Sequence, residues 1–263
     1  MVRHNLKFWK RFYKIRYTSS INEWRTIEEA RFLRKFLPIR RYKKVLDFIC
    51  GVGRHSIKLA RAGYNVEGFD INEDSIGQAR KIIKDRGLKN IKLYTKDALK
   101  FQKKEIFDAA ICKKEIFDAA ICIYSSIGFL DENSNDKIFN VLCQSVRKDG
   151  RIILDVMNPN WAIKYLIPYQ EKEIVYNGQK YLVRHHRKIL YNPLREKNII
   201  EFFNTRNRKQ YKAAYILRLY FLKKLKEKFY KNNFRIYKIF GSFRKEKISN
   251  NQQRIIIIAD RIK

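Results

Sequence analysis

The sequence predicts a Rossmann-like α/β fold, built on a doubly wound and mostly parallel sheet, with an inserted antiparallel β subdomain. Residues 45–60, VLDFICGVGRHSIKLA, have the pattern of a strand, a glycine turn and a helix, the unit that forms nucleotide sites. Further strand and helix patterns alternate up to residue 157. From 158 to 220 short alternating segments such as YLVRHHRKIL replace them, which is typical of antiparallel strands. We therefore expect one domain from 1–157 and 221–263, with 158–220 inserted.

Composition favours a folded protein that is not inserted in a membrane. The 263 residues are 45% hydrophobic and 14% aromatic, which is enough for a core and argues against disorder. No apolar run reaches the roughly 18 residues that a membrane helix requires. The four cysteines lack the spacing of a zinc site, so no metal is expected, and a reducing, cytoplasmic compartment fits best. They are Cys50, Cys112, Cys122 and Cys143.

The net charge of +33, from 59 Lys and Arg against 26 Asp and Glu, has two interpretations. One is a polyanionic partner such as RNA. The other is a compositional drift that also enriches Ile, Asn, Tyr and Phe. The basic residues are spread along the whole chain, which favours drift and keeps nucleic acid as the alternative partner.

The first 40 residues are expected to supply a lid helix beside the sheet. Residues 22–37 have helical spacing of apolar positions, including Trp24, Ile27, Leu33 and Leu37. Pro38 follows the last turn, as is usual after a helix end.

The first strands and helices follow in order. We expect a strand at about 43–49 and a helix at about 53–62, then a second strand at 64–70. This strand ends in Asp70, about 20 residues beyond the glycine turn, where an acidic residue accepts hydrogen bonds from ribose hydroxyls. Asn72 and Asp74 then cap a second helix. The run NIKLYTKDAL gives a third strand, with Asp97 just past the end of that strand.

A tandem duplication precedes the central strand. Residues 103–112 and 113–122 are identical, KKEIFDAAIC. Only one copy can form the strand. We expect the second copy to do so because it runs directly into IYSSIGFL, and the first copy to be an insertion, which a long loop tolerates.

The rest of the main domain is expected to complete the sheet. A helix at 133–147 would be capped by Asn133 or Ser134, and KDGRIILDVMNP would give a turn and a strand. After the insertion, a helix at 221–233 precedes two last strands, in FRIYKIFGSF and QRIIIIADRI.

The glycine turn could serve NAD or S-adenosylmethionine. The dinucleotide pattern requires a third glycine, and Ser56 stands there instead. Arg54 and His55 would crowd the place of a pyrophosphate. The turn therefore favours a ligand with one nucleoside and an amino-acid tail.

With these motifs in order, the sequence resembles the class I S-adenosylmethionine-dependent methyltransferases. It is most similar to a small-molecule branch written roughly as LDxxCGxGRHxxxLAxxGYxVxGxDxS. The similarity spans about 22–263 and includes VLDFICGVGRHSIKLARAGYNVEGFDIN, KDAL, FDAAICIYSSIGFL and VRKDGRIILDVMNPNW. It implies a seven-stranded sheet with the last strand antiparallel. Ile49 departs from the pattern, since this branch often has glycine or a small residue there.

The resemblance also implies the residues that bind S-adenosylmethionine. Asp47 would engage its methionine end, Asp70 its ribose, and Asp97 the adenine amino group. For Asp70 and Asp97, helix capping or solvation is the alternative. The implied cofactor-binding set is Asp47, Cys50, Gly51, Gly53, Arg54, Asp70, Ile71, Asp97, Ala98 and Ile123.

Methyl transfer is an in-line displacement that needs alignment more than an acid–base pair. Tyr124 or Ser126 could orient the acceptor, or could serve only loop structure. His55 could be a base, or could contact the cofactor or the lid. We expect a small-molecule acceptor, enclosed by the N-terminal helix and the insertion. The alternatives are an RNA methyltransferase and a non-catalytic cofactor-binding or nucleic-acid-binding protein.

Overall fold

The computed structural model describes residues 23–100, 117–176 and 178–263, and it contains two sheets. The larger sheet has seven strands. They are β1 (Lys44–Phe48), β2 (Asn65–Asp70), β3 (Ile91–Thr95), β4 (Phe117–Cys122), β5 (Val146–Met157), β10 (Phe234–Phe240) and β11 (Arg254–Arg261). The smaller sheet consists of β6 (Tyr169–Tyr176), β7 (Gln179–Leu190), β8 (Arg195–Asn204) and β9 (Gln210–Arg218).

The seven strands are ordered β10-β11-β5-β4-β1-β2-β3. Strands β1 to β5 pair in parallel, while β11 pairs antiparallel with both β5 and β10. The predicted sheet with an antiparallel last strand is therefore confirmed. Asp47 of β1 lies level with Gly68 of β2 and Ile121 of β4, so the carboxyl ends of these three strands meet at one edge.

Helices cover both faces of this sheet, which confirms the doubly wound prediction. On one face lie α1 (Glu23–Phe36), α2 (Arg54–Arg61) and α3 (Glu73–Asp85), whose apolar side chains share a core cluster with the strands. On the other face lie α4 (Glu132–Gln144) and α6 (Leu222–Lys231). Fully buried leucines such as Leu33 and Leu59 each stabilise this packing by roughly 1.5–3 kcal/mol.

The buried face of α1 differs from the expected one. Trp24 is 57% exposed, and Phe32 and Phe36 are buried instead. The ring of Phe32 lies 5.7 Å from the ring of Phe240, which follows from the position of β10 at the sheet edge. A carboxylate, Glu29, is also on the buried face.

The central strand β4 belongs to the second copy of the repeated decapeptide, as predicted. It lies between β1 and β5, and Ala119 to Ile121 pair with β1. The first copy, residues 103–112, lies outside the described residues.

The predicted boundary between α4 and β5 is wrong in two respects. Asp131 caps the helix by accepting a hydrogen bond from the Ser134 amide at 2.9 Å, so neither Asn133 nor Ser134 is the cap. The helix ends at Gln144, and β5 begins at Val146, so the KDG segment does not precede the strand. It forms an irregularity within β5, where the pairing with β4 shifts and Asp149 has a φ of +59°.

The smaller sheet is preceded by a short helix, α5 (Pro159–Tyr165), which the sequence pattern did not indicate. Asn158 caps it and Pro159 occupies its first turn. Within the sheet, Tyr181, Val183 and Phe202 belong to a separate apolar cluster.

The described ranges contain neither a membrane-spanning helix nor a cluster of metal-ligating side chains. None of their helices is long and apolar enough to span a membrane. Their His, Cys, Asp and Glu side chains form no group able to hold a metal ion.

Candidate functional site

The turn between β1 and α2 is built from left-handed backbone. Ile49, Gly51 and Gly53 have φ values of +59°, +58° and +66°. Glycine adopts this conformation without penalty, whereas a β-branched side chain is strained there by about 1–2 kcal/mol. This strain gives a physical reason for the glycine or small residue that the resemblance leads us to expect at the position of Ile49. At Gly53 a Cβ atom would lie 2.6 Å from Leu93 Cδ1, so a side chain there would require the Leu93 side chain to move.

Asp70 fixes the turn to the end of β2. Its Oδ2 accepts a hydrogen bond from the Gly51 amide and its Oδ1 from the Asn72 amide, both at 2.9 Å. The residue is only 7% exposed, and burial raises the pKa of its carboxyl against the effect of these amides. Each carboxylate oxygen has a second lone pair, so further donors can be accepted.

Asp47 and Cys50 are buried beneath the turn. Ser56 Oγ donates to Asp47 Oδ2 at 2.5 Å, which ties the first turn of α2 to β1, and burial raises the pKa of this carboxyl. The Cys50 amide donates to the Phe69 carbonyl at 2.8 Å. Burial raises the pKa of the Cys50 thiol well above its ordinary value, so it is no nucleophile at neutral pH.

The residues just after the ends of β2 and β3 are mostly apolar and include one carboxylate, Asp97. Asp97 Oδ1 accepts from the Leu99 amide at 2.9 Å, so this residue does cap a short helical turn, Ala98–Lys100. Ala98 is buried, while Ile71 and Leu99 are each 40% exposed. Because β2 and β3 are parallel neighbours, these side chains lie at the same edge.

The Glu29 carboxylate contacts three residues, two at the start of α2 and one in the loop after β4. Its Oε2 accepts from the Arg54 guanidinium and lies 2.9 Å from His55 Nε2. Its Oε1 accepts from the Tyr124 hydroxyl at 2.9 Å. Sequence reasoning missed Glu29 because the buried face of α1 differs from the predicted one.

At Glu29, the neighbouring cationic side chains lower the pKa of the carboxyl by more than burial raises it. Burial alone would raise the pKa of this carboxyl, but His55 and Arg54 outweigh it and lower the pKa to about 2. Burial, followed by the charge of Glu29, raises the pKa of Tyr124 to about 12. The Tyr124 hydroxyl is therefore protonated at neutral pH, where it donates a hydrogen bond and does not act as a base.

The loop after β4 is held in a strained shape. Tyr124 and Ser125 have φ values of +68° and +57°. The Tyr124 amide donates to Asp155 Oδ2 at 2.8 Å, and Arg254 donates to both oxygens of Asp155 at 2.6 and 2.5 Å. Asp155 is fully buried, so this ion pair holds the loop in one conformation.

The other two predicted residues of this loop have structural contacts. Ile123 is 6% exposed and belongs to the core. Ser126 Oγ donates to the Ile123 carbonyl at 2.9 Å, which is the loop-structure alternative considered for this hydroxyl.

The far end of the same loop meets the smaller sheet. The Arg218 amide donates to the Gly128 carbonyl at 2.8 Å, and its guanidinium donates to Glu132 at 2.8 Å. The rings of Phe129 and Tyr215 are 5.7 Å apart. The loop from Tyr124 to Phe129 therefore lies between α1 and the smaller sheet.

Comparison with known proteins shows the family to which the chain belongs. A family model described as "Methyltransferase domain" matches residues 39–218, more than half of the chain. A solved S-adenosylmethionine-dependent methyltransferase from Clostridium acetobutylicum ATCC 824 has a TM-score of 0.74 at 15% identity, over 97% of this chain and 98% of that one. The CcbJ methyltransferase from Streptomyces caelestis has a TM-score of 0.71 at 12% identity, over 90% of each chain. At these identities the likeness concerns the fold.

Curated relatives match only in part. The 23S rRNA (uracil(1939)-C(5))-methyltransferase RlmD of Shewanella sediminis (strain HAW-EB3) is 28% identical over 121 residues, which is 45% of this chain and 27% of that protein. The tRNA (uracil(54)-C(5))-methyltransferase of Pyrococcus abyssi (strain GE5 / Orsay) is 36% identical over 63 residues, 24% of this chain and 16% of that protein. The chain thus spans about a quarter or less of the length of these two relatives.

The chain belongs to the class I S-adenosylmethionine-dependent methyltransferase family, through its methyltransferase domain.

Proposed function

We propose that this protein transfers a methyl group from S-adenosylmethionine to a small-molecule acceptor. The observation that carries the proposal is the position of the loop after β4. It contacts α1 through the hydroxyl of Tyr124 and the smaller sheet through the ring of Phe129. An acceptor at this edge is enclosed on two sides, which suits a small molecule better than a large polymer.

The chain offers a residue for each part of the cofactor, which supplies an activated methyl group on its sulfonium. In our proposal Asp70 accepts from the ribose hydroxyls, and Asp97, with Ile71 and Ala98, holds the adenine. The turn of Cys50, Gly51 and Gly53 lies beneath the methionine end. Asp47, fixed by Ser56, orients that end directly or through water. Arg54 borders it, and Ile123 flanks the methyl group.

Tyr124 is the best supported residue for orienting the acceptor. Its hydroxyl stays protonated, and its ring lies 4.6 Å from the Arg54 guanidinium and 5.2 Å from that of Arg254. Such a group aligns a nucleophile without removing its proton. His55 is 5% exposed with Nε2 on Glu29, which supports a lid contact more than a role as base. Ser126 remains a weaker candidate because its hydroxyl bonds the backbone.

An RNA acceptor is the second candidate. The net charge of +33 favours a polyanion, and the partial curated relatives are named as RNA methyltransferases. Against it, solved structures similar over most of this chain are named as an amino pentose methyltransferase and a glycopeptide N-methyltransferase.

Methyl transfer from radiolabelled S-adenosylmethionine separates the two candidates. The protein is incubated with a small-molecule cell extract, or with total RNA lacking methylation, and the label is followed by chromatography. We expect label in the small-molecule fraction and its loss with Asp70→Asn. Label that appears in RNA alone would establish the second candidate and contradict the first.

A further inference from the structure

Glu29 lies on the N-terminal helix α1, yet its partners belong to the glycine turn and to the loop after β4. We propose that Glu29 is a positioning residue: its carboxylate couples the docking of α1 to cofactor binding, so that the cofactor site is complete only when α1 is seated. The proposal rests on S-adenosylmethionine being the cofactor. It extends the proposed function by giving the lid helix a specific part in building the site.

The contacts of Glu29 join three separate segments of the chain. Glu29 Oε2 holds Arg54 and His55 at the start of α2, while Oε1 holds the Tyr124 hydroxyl after β4. Glu29 is 2% exposed, so little water competes for these bonds. Each partner therefore depends on α1 for its orientation.

Arg54 closes the network into a ring. Its guanidinium also donates to Thr26 Oγ1 at 3.0 Å, one turn before Glu29 on the same face of α1. The guanidinium carbon lies 4.6 Å from the centre of the Tyr124 ring. Withdrawal of α1 would remove two hydrogen-bond acceptors from Arg54 and one from Tyr124 at the same time.

The two halves of α1 are anchored by different forces. Beyond Glu29, the buried side chains of Phe32, Leu33 and Phe36 fix the helix to the core. Before Glu29, the anchors to α2 are polar: the Arg54 contacts with Thr26 and Glu29, and an exposed ion pair between Glu23 and Lys58 at 2.9 Å. Water can replace polar contacts but cannot replace apolar burial. The first half of α1, which Glu28 and Trp24 also attach to Arg244, is therefore expected to open before the second half.

The coupling between α1 docking and cofactor binding is reciprocal by thermodynamic linkage. If seated α1 orients Arg54 and Tyr124 for the cofactor, bound cofactor must stabilise seated α1 by the same free energy. The coupling is thus visible without any methyl acceptor, which makes it testable while the acceptor is unidentified.

The test compares Glu29→Gln with Glu28→Gln. Glu28 is the adjacent residue on α1 and forms an exposed ion pair with Arg244 at 2.9 Å, so it provides a matched control for the loss of one charge. S-adenosylhomocysteine is the probe. Calorimetry gives its affinity, and hydrogen exchange measures the protection of α1 with and without it.

We expect the probe to slow amide exchange in residues 23–31 of the wild-type protein. With Glu29→Gln, its affinity should fall by about tenfold or more and the added protection of α1 should disappear, a typical size for coupling between sites. Glu28→Gln should bind within about twofold of the wild type, as expected for an exposed pair. Tyr124→Phe removes only the contact at Oε1 and should weaken binding by a smaller factor.

Two results would overturn the proposal. One is a Glu29→Gln variant that binds the probe as tightly as the wild type. The other is α1 exchange that is independent of the probe in the wild type. If Glu29→Gln also loses exchange protection in the central sheet, the substitution has disturbed the fold, and Tyr124→Phe becomes the deciding variant. Affinity of Tyr124→Phe for the probe equal to that of the wild type would then overturn the proposal. Absence of probe binding by the wild type would instead contradict the cofactor assignment itself.

Discussion

A buried carboxylate such as Glu29 is stable only with its partners. Removing one partner of a buried ion pair typically destabilises a protein by about 3–5 kcal/mol, because the other charge is left uncompensated. Here Arg54 would lose that compensation within the cofactor turn. The effect of Glu29 on folding and its effect on the site therefore need separate measurements.

The pH dependence of stability isolates the contribution of Glu29 to folding. Its pKa falls from an ordinary 4.5 to about 2, so the group stabilises the folded state above pH 4.5, and this contribution is lost as the pH falls toward 2. A shift of this size corresponds to about 3 kcal/mol. In urea unfolding between pH 7 and pH 3, the difference between the wild type and Glu29→Gln should be constant above about pH 5 and shrink below it. A difference that grows on acidification would contradict the assignment.

At the level of single residues, the sequence predicted what a local motif encodes. Asp70 and the glycines of the turn were predictable because they lie within about 20 residues of each other in a known strand–turn–helix unit. The contacts of Glu29 were not predictable, since it meets Tyr124 across 95 positions of the chain. The backbone strain at Ile49 was also not predictable from the sequence, because only the folded turn gives this residue its positive φ.

At the level of elements, the predictions held where periodicity was strong and failed at a boundary. The strands β1, β2 and β4 lie within the predicted ranges because runs of buried apolar residues form them. The junction of α4 and β5 was misplaced since the KDG segment has the composition of a turn. In the structure it is absorbed as an irregularity of β5, with Gly150 packed against the Asp118 carbonyl.

The contact between the β4 loop and the smaller sheet depends on Gly128. This residue has a φ of +127°, and a Cβ atom there would lie 2.7 Å from the Arg218 carbonyl oxygen. Gly128→Ala should therefore lower the free energy of unfolding by about 1–3 kcal/mol, through strain and a backbone clash. Thermal or urea unfolding measures this change.

Gly77→Ala is the matched control for Gly128→Ala. Gly77 lies in α3 with open space around its Cβ position, so alanine should stabilise the protein by about 0.5–1 kcal/mol through helix propensity. Equal effects of the two substitutions would refute the close approach of the smaller sheet to this loop.

At the level of the whole molecule, the residues of the candidate site gather at one edge of the larger sheet. The turn after β1, Asp70 after β2, Asp97 after β3 and the loop after β4 all lie at the carboxyl ends of parallel strands, where ligands bind in such sheets. The lid helix and the smaller sheet approach this edge from two sides. Sequence patterns predicted both pieces but not their contacts, which join residues distant along the chain.

Calorimetric titration of the full chain with S-adenosylmethionine tests the central claim most directly. We expect binding at a single site, at least about tenfold weaker in Asp70→Asn, because the ribose hydroxyls would lose a charged acceptor. NAD should not compete, since the turn lacks the third glycine of a dinucleotide site. Absence of binding at millimolar S-adenosylmethionine, or equal binding by Asp70→Asn, would contradict the account.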